Sequence, residues 1–429
     1  MSISWYHQTA RETLQTTAAS GRLQTRTCII GGGLAGVATA LSLIERGERD
    51  VLLLEAQQIG HGASGRNGGF VFGGYSVSPF ELARRRGLPA ARQLHAATLE
   101  AVRLVRRRID RYQIDCEPVD EGVLWANWFR DPEILLQQQR RLADDFGVEW
   151  AYLDADQLRQ QVHSPRYHGA LREPEGFHVQ PLALVRGMAR AAIAGGARIH
   201  ERSEVLGLAR QDGRIRLLGL GFDVLADRVV VAGGGYLSGQ FGPLTRAMLP
   251  IATYAMVTEP LGDRLAQCLS TRAAIYDTRF AFDYYRPLPD TRLLWGGRIS
   301  IRSRSPEAVA RLLSKDLTRV FPQLGRVRVE QAWSGLMSYA RHEMPQIGQL
   351  QPDVWYAQGF GGHGLAPTTL AGEVLAAALR GEESPLLGEL SAFDLPGVHR
   401  RSGLGLLAAQ ARYSWLQWCD RWRSWTDRG

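Results

Sequence analysis

The sequence predicts an α/β fold in which a Rossmann-like dinucleotide-binding domain is joined to a second domain of α+β type. Residues 27–55 read as a strand, a glycine turn, a helix and a second strand that ends on an acid, which is the order of a dinucleotide-binding βαβ unit. Strand-like segments recur between residues 247 and 340, and residues 355–367 read again as strand, glycine turn and helix. At 429 residues the chain is long enough for two domains.

The first glycine turn assigns a role to each of its small residues. Gly31 permits the tight turn, Gly33 lets the backbone approach a pyrophosphate, and Gly36 lets the helix pack closely on the sheet. The helix N-terminus offers N–H groups to the phosphates, and Glu55 is placed to accept hydrogen bonds from ribose hydroxyls. The predicted nucleotide ligands in this unit are Gly31, Gly33, Leu34, Ala35, Gly36 and Glu55.

A glycine-rich loop, residues 60–69, follows the acidic strand end. Five glycines in ten residues cost too much backbone entropy for a packed strand unless a ligand fixes them. A flexible surface loop is the plainer interpretation, and a loop that covers a cofactor is the one favoured by its position. Its predicted cofactor contacts are Ala63, Ser64, Arg66, Asn67 and Gly68.

Composition and charge exclude several classes of protein. The net charge is +8, but the basic residues are scattered arginines with Lys315 as the only lysine, so we expect no nucleic-acid partner. The four cysteines are far apart and have no metal-ligand spacing, which predicts buried thiols, no metal site and a cytoplasmic protein. No segment has the roughly 18 apolar residues of a membrane-spanning helix.

The first glycine turn at 31–36, Glu55 and the glycine-rich loop together resemble the FAD-binding start of the D-amino-acid-oxidase-like (glycine and sarcosine oxidase) superfamily, and most closely its gamma-glutamylputrescine-oxidase-like branch. The resemblance covers nearly the whole chain. It implies FAD as cofactor and a mostly antiparallel sheet in the substrate domain. It implies FAD-binding segments at 25–80, 186–245 and 341–385, substrate-domain segments at 81–185 and 246–340, and a C-terminal amphipathic helix at 400–429.

The same resemblance adds cofactor contacts further along the chain. The buried strand at 229–231 ends in glycines where the chain returns to the nucleotide, and the second glycine turn would face the flavin ring. The additional cofactor residues are Val205, Ala232, Gly233, Gly359, Gly361, Gly362, His363, Gly364 and Leu365. Because residues 335–338 hold no cysteine for a covalent tether, FAD is expected to bind noncovalently.

The resemblance implies oxidation of the C–N bond of an amine or amino acid to an imine, which water converts to an aldehyde or keto acid. Oxygen would take the electrons and give hydrogen peroxide. The candidate catalytic residues are His363, Arg298, Tyr284, Arg341 and His342. His178 could face the substrate, although a lone histidine is more often structural. Two alternatives stay open: a dehydrogenase that passes electrons to a quinone or carrier protein, and a nucleotide-binding protein without turnover.

Three further segments carry expectations about structure alone. Residues 1–24 are polar and look like an arm on the surface of the fold, and residues 80–112 read as one amphipathic helix. The tail repeats tryptophan at three- and four-residue spacing with arginine between, from Leu404 to Trp425. Such a helix packs on its own protein, docks at a membrane surface or makes an oligomer contact.

Overall fold

We describe a computed structural model of the chain, which covers residues 3–237, 239–397 and 404–426. The strands are β1 Gly21–Ile30, β2 Val51–Leu54, β3 Phe70–Val71, β4 Val123–Ala126, β5 Ala151–Leu153, β6 Ala170–Glu173, β7 Phe177–His178, β8 Arg198–His200, β9 Val205–Gln211, β10 Arg214–Gly219, β11 Phe222–Val231, β12 Met248–Thr258, β13 Ala274–Asp277, β14 Asp283–Pro287, β15 Leu293–Ser300, β16 Val329–Ala340, β17 Gln346–Gln351 and β18 Val354–Gln358. The helices are α1 Trp5–Thr9, α2 Leu34–Glu45, α3 Pro79–Arg86, α4 Leu88–Tyr112, α5 Glu133–Phe146, α6 Ala155–Arg159, α7 Pro181–Ala194, α8 Gly242–Arg246, α9 Asp263–Ala266, α10 Pro306–Val320, α11 Leu365–Leu379, α12 Pro385–Ser391 and α13 Leu404–Thr426.

The first sheet has the predicted nucleotide-binding topology. Its strands run in the order β17-β18-β11-β1-β2-β8, and the five from β18 to β8 are parallel. The hairpin β9-β10 adds to β11 in antiparallel pairing. Consecutive residues of a strand point to opposite faces, and apolar runs such as Val229–Val231 are buried throughout. The sheet is therefore covered on both faces. The carboxyl ends of β1 and β11 therefore meet at one edge of the sheet. The glycine turn that follows β1 and the glycines at 233–235 that follow β11 begin there.

The second sheet is mostly antiparallel, as predicted. Its order is β16-β12-β15-β14-β13-β4-β6-β5, and only β13 and β4 pair in parallel. The long strands β12 and β16 pair from Met248↔Ala340 to Thr258↔Val329. The helix α10 packs against β12 and β16.

The predicted helix at 80–112 is two helices. Gly87 separates α3 from α4 with a φ of 84°, a conformation that only glycine adopts readily, and Pro89 stands in the first turn of α4. The structure also departs from the placement of this segment with the substrate domain. Arg108 is buried and its guanidinium contacts Glu45 of α2 and Glu373 of α11, at 2.5 and 2.6 Å. This triad fixes α4 to the nucleotide-binding side.

The first and the last described segments both pack on the body. The expected surface arm was wrong at Tyr6, which is 1% exposed, donates its hydroxyl to the carbonyl oxygen of Asn67 at 2.8 Å and packs edge-on against Trp333. At the other end, α13 fills the described part of the predicted 400–429 helix, and residues 400–403 and 427–429 lie outside the described residues. One face of α13 contacts the body through Tyr413, which is buried against Phe280.

Candidate active site

The turn after β1 holds α2 against the sheet. Gly31 has a φ of 109°, and a Cβ on this residue would lie 2.6 Å from the carbonyl oxygen of Ala232. A Cβ on Gly36 would lie 2.0 Å from the carbonyl oxygen of Gly31. Both distances are too short for a carbon atom, so glycine is required at both positions.

Two side chains brace the backbone of this turn. Glu55 accepts hydrogen bonds from the backbone N–H groups of Gly32 and Gln57, at 2.6 and 2.7 Å. Ser64 Oγ accepts a hydrogen bond from the N–H of Leu34, the first residue of α2, at 2.8 Å. Burial raises the pKa of Glu55, and the two backbone donors oppose that rise. The structure therefore gives Glu55 a bracing role in addition to its predicted contact with a ribose.

The glycine-rich loop at 60–69 is held by its own hydrogen bonds. Asn67 donates its side-chain amide to the carbonyl oxygens of Ala63 and Ser64, both at 3.0 Å, and accepts from the N–H of Gly69 at 2.8 Å. Arg66 is 5% exposed and donates Nε to the carbonyl oxygen of His61 at 2.8 Å. These contacts favour an ordered cofactor-covering loop over a flexible surface loop.

A cavity of about 670 Å³ lies between the two glycine turns, the glycine-rich loop and the second sheet. Of the predicted residues, those that line it are Gly31, Gly33, Leu34, Ala35, Glu55, Ala63, Ser64, Arg66, Asn67, Gly68, Ala232, Gly233, Tyr284, Arg298, Gly361, Gly362, His363, Gly364 and Leu365. The cavity thus has a nucleotide end, lined by the first turn and the loop, and a substrate end beneath the second sheet.

The second glycine turn closes the cavity beside α11. Gly361 has a φ of 61°, and a Cβ there would lie 2.2 Å from Ser76 Oγ. The N–H of Gly362 donates to the same Ser76 Oγ at 3.0 Å. His363 follows, with its ring centroid 4.8 Å from that of Phe72. Burial lowers the pKa of His363 to about 4, so its imidazole is uncharged at neutral pH.

An aromatic wall lines the substrate end. It comprises Phe70, Phe72, Tyr276, Phe282 and Tyr284, with neighbouring ring centroids 5.5–6.4 Å apart. The sequence predicted only Tyr284 from this group. A signal for the wall was present at Gly296, because glycine inside a strand often marks a close approach. A Cβ on Gly296 would lie 2.1 Å from the Tyr284 ring.

Two arginines of the cavity wall, Arg279 and Arg298, are paired with carboxylates. Arg298 makes two hydrogen bonds to Asp316, at 2.8 and 2.5 Å, and the carboxylate of Asp316 is buried. Arg279, which the sequence analysis missed, contacts both Asp277 and Asp283 at 2.5 Å. Burial raises the pKa of Asp283, and the Arg279 guanidinium opposes that rise. Both guanidinium groups are therefore held in place by carboxylates.

Five predicted residues lie off the cavity: Gly36, Val205, Gly359, Arg341 and His342. Gly36 has the packing role described above, Val205 follows the cavity residue Glu204, and Gly359 donates its N–H to the cavity residue Ser338 at 3.2 Å.

The structure does not bring the predicted pair Arg341 and His342 to the substrate. β16 ends at Ala340, so Arg341 stands exposed in the turn, and the His342 ring lies 5.3 Å from the ring of Phe393. Burial lowers the pKa of His342, which favours its uncharged form.

His178 has a structural role together with Arg286. The Arg286 guanidinium donates to the carbonyl oxygens of Gly68 and Val179 at 2.7 and 2.9 Å, and it lies 3.3 Å from His178 Nδ1. His178 Nε2 lies 2.8 Å from the carbonyl oxygen of Arg272. This buried network ties the glycine-rich loop to β7 and β14.

Comparison with known proteins agrees with this geometry. The family model for DAO, the FAD dependent oxidoreductases, matches residues 26–378. This chain belongs to that family. It is 36% identical over 376 residues to gamma-glutamylputrescine oxidoreductase of Escherichia coli, which covers 86% of this chain and 87% of that protein.

Solved structures of low sequence identity share the fold. Glycine oxidase from Geobacillus kaustophilus superposes with a TM-score of 0.72 at 20% identity, over 87% of this chain and 99% of that one. L-proline dehydrogenase from P. horikoshii superposes with a TM-score of 0.70 at 19% identity, over 85% and 96% of the two chains. The α/β fold and the FAD dependence predicted from the sequence are confirmed.

The residues present fit FAD. The glycine-only turn at Gly31 and the start of α2 offer backbone N–H groups to the pyrophosphate, and Glu55 lies on the cavity wall for the ribose. The second glycine turn and the start of α11 lie at the other end, where the flavin ring would be held. Bound there, FAD would face the aromatic wall.

Proposed function

We propose that this enzyme oxidises the C–N bond of a small amine whose reacting carbon carries no carboxylate, with noncovalent FAD and with oxygen as electron acceptor. The observation that carries the proposal is the aromatic wall together with paired guanidinium groups. An α-amino acid needs a cation for its carboxylate beside the reacting carbon. Arg279 and Arg298, on the wall of the substrate end, each already bind buried aspartates.

The aromatic wall suits an amine on a methylene chain. The rings of Phe72, Tyr276 and Tyr284 supply apolar surface for the methylene groups and exclude water from the reacting carbon. Their π faces also attract an ammonium group when it enters protonated. Bound FAD supplies the two-electron oxidation, which leaves an imine that water hydrolyses to an aldehyde.

His363 is placed at the substrate end to hydrogen-bond the amine. Its imidazole is uncharged above a pKa of about 4, so it does not repel an ammonium ion and can accept a hydrogen bond from it. We assign it the role of orienting the amine.

A second cavity suits the other end of such a substrate. It has a volume of about 420 Å³, lies between α13 and the second sheet, and shares Arg279, Ala281 and Arg298 with the first. Besides Arg279 and Arg298, which aspartates hold, the arginines that line it are Arg166, Arg319 and Arg421. A carboxylate fits this cavity, and the gamma-glutamyl group in the name of the Escherichia coli relative carries one. We therefore propose a gamma-glutamylated amine as substrate.

One feature supports noncovalent FAD. Gly335, Leu336, Met337 and Ser338 line the first cavity, and none of them is a cysteine that could tether the flavin. Oxygen as the acceptor is the expectation from the family resemblance, since the charge of Arg298 is balanced by Asp316. The alternative is a dehydrogenase that uses a quinone or a carrier protein.

The test is an anaerobic titration of the purified flavoprotein, read as loss of visible flavin absorbance. The compounds are gamma-glutamylputrescine, putrescine, sarcosine, glycine and D-alanine. We expect bleaching by gamma-glutamylputrescine at lower concentration than by putrescine, and none by the three amino acids. Peroxide on readmission of air establishes an oxidase, whereas colour that returns only with a quinone establishes the dehydrogenase. Bleaching by the amino acids alone contradicts the proposal.

A further inference from the structure

The outward face of α13 carries a row of exposed tryptophans. Trp415, Trp418 and Trp422 are 62, 52 and 57% exposed, and their spacing of three and four residues places them on one side of the helix. Trp425, 71% exposed at the end of the helix, also lines the second cavity. Ten large hydrophobic side chains are exposed in the described residues, and five of them, including Leu407, belong to this helix. Such clustering differs from the single exposed apolar residues normal on a protein surface.

The tryptophans form a ridge of adjoining rings. The Trp415 and Trp418 centroids are 5.2 Å apart and those of Trp418 and Trp422 are 6.5 Å apart, with nearly parallel planes. The opposite face of the helix is fixed to the body, because Asp420 accepts the N–H of Phe280 at 2.9 Å and Arg412 pairs with Glu343 at 2.9 Å. The protein therefore presents the ridge on a rigid support.

Exposed arginines lie near both ends of α13. Gln410 of α13 lies beside Ile301, and the exposed Arg302 and Arg304 follow directly. Near the other end of the helix, Arg423 pairs with Asp131 at 3.7 Å, next to the exposed Arg130. An apolar ridge with exposed arginines near its ends fits a surface that is negatively charged outside and apolar within.

We propose that α13 docks this protein on the surface of an anionic lipid bilayer, with the tryptophan ridge at the level of the headgroups. Tryptophan is enriched at that level, and flanking arginines attract anionic lipids. The helix lies on the membrane rather than crossing it, since none of the helices within the described residues is long and apolar enough to span one.

A second copy of the chain fits this face less well. A stable dimer buries about 800 Å² and 20–30 residues per partner, which one row of side chains on a single helix does not supply. In a twofold dimer the arginines near the ends of the ridge would also face one another, and like charges repel.

The test is co-sedimentation of the FAD-loaded, full-length enzyme with phosphatidylcholine vesicles, with and without phosphatidylglycerol. We expect sedimentation with the phosphatidylglycerol vesicles and its decrease at high salt. The double variant Trp415→Ser, Trp418→Ser should lower the partition coefficient about tenfold, through loss of apolar burial. Leu218→Ser, Leu220→Ser on the exposed β10 hairpin is the matched control and should bind as the unchanged enzyme does.

Equal turnover and FAD content in both variants would show that folding is retained. The proposal is overturned by absence of sedimentation with either vesicle, by equal binding to neutral vesicles, or by full binding of the tryptophan variant. It is also overturned if sedimentation velocity shows that the unchanged enzyme is a dimer and that the tryptophan variant is a monomer. None of these outcomes depends on which amine the enzyme oxidises.

Discussion

The nucleotide end and the substrate end of the cavity are built in different ways. The nucleotide end is formed by backbone atoms, and Gly31 and Gly36 permit close backbone contacts that a Cβ atom would prevent. At the substrate end side chains from distant segments meet, as when Tyr413 of α13 packs on Phe280. The first end can therefore tolerate almost no added atom, while the second can exchange side chains and change its substrate.

The largest effect is expected from Gly36→Ala. The added Cβ would lie 2.0 Å from the carbonyl oxygen of Gly31, so α2 must move away from the pyrophosphate site. We expect FAD affinity to fall about a hundredfold or more, measured by fluorescence titration of the apoprotein. Gly388→Ala in α12, where a Cβ meets nothing within 4 Å, is the control and should bind FAD normally. Normal affinity in the Gly36 variant would contradict the packing argument.

Asp316→Asn tests whether the paired charge at the substrate end is structural. Arg298 would keep its charge in a largely buried site without a carboxylate, and the free energy of unfolding should fall by about 3 kcal/mol in urea denaturation. Asp115→Asn removes the carboxylate of an exposed pair with Arg11 and should cost less than about 1 kcal/mol. Equal losses in the two variants would show that Asp316 has no special role.

Variants of two neighbouring tyrosines on β14 allow the effects on substrate binding and on stability to be measured separately. Tyr284 faces the cavity, whereas Tyr285 is stacked on Trp295 at 4.4 Å in the core of the second sheet. Tyr284→Leu should weaken amine binding about tenfold and leave FAD affinity unchanged. Tyr285→Leu should instead lower the melting temperature and spare amine affinity. The reverse pattern would place the substrate elsewhere.

The smallest effect is a change in pH dependence in His363→Gln. The folded-state pKa of His363 is about 4, against 6.5 in the unfolded chain, so between these values the unfolded state binds more protons and stability falls as pH falls. The variant should show a shallower loss of stability from pH 6.5 to 4, measured by urea midpoints. A residual slope is expected because burial also lowers the pKa of His95 to about 4. An unchanged slope would mean that His363 titrates normally.

The sequence predicted the nucleotide end well and the substrate end poorly, for a physical reason. Turn conformations at Gly31 and Gly361 depend on a few adjacent residues, so local spacing reveals them. The packing of Tyr413 on Phe280 depends on a contact between distant parts of the chain, which spacing does not encode. The pairs of Arg279 with Asp277 and Asp283 are local and were overlooked. Arg341 and His342 were misplaced because a resemblance in sequence order does not say which way a turn residue points.

The most direct test of the central claim uses two substrates that differ by one group. Gamma-glutamylputrescine and the corresponding gamma-glutamylornithine share a chain, but the second carries a carboxylate on the reacting carbon. The rate of anaerobic flavin bleaching by each would be compared in a stopped-flow experiment. Because the substrate end has an aromatic wall and paired guanidinium groups, we predict that gamma-glutamylputrescine bleaches the flavin at least about tenfold faster than gamma-glutamylornithine. Faster bleaching by the carboxylated compound would contradict the account.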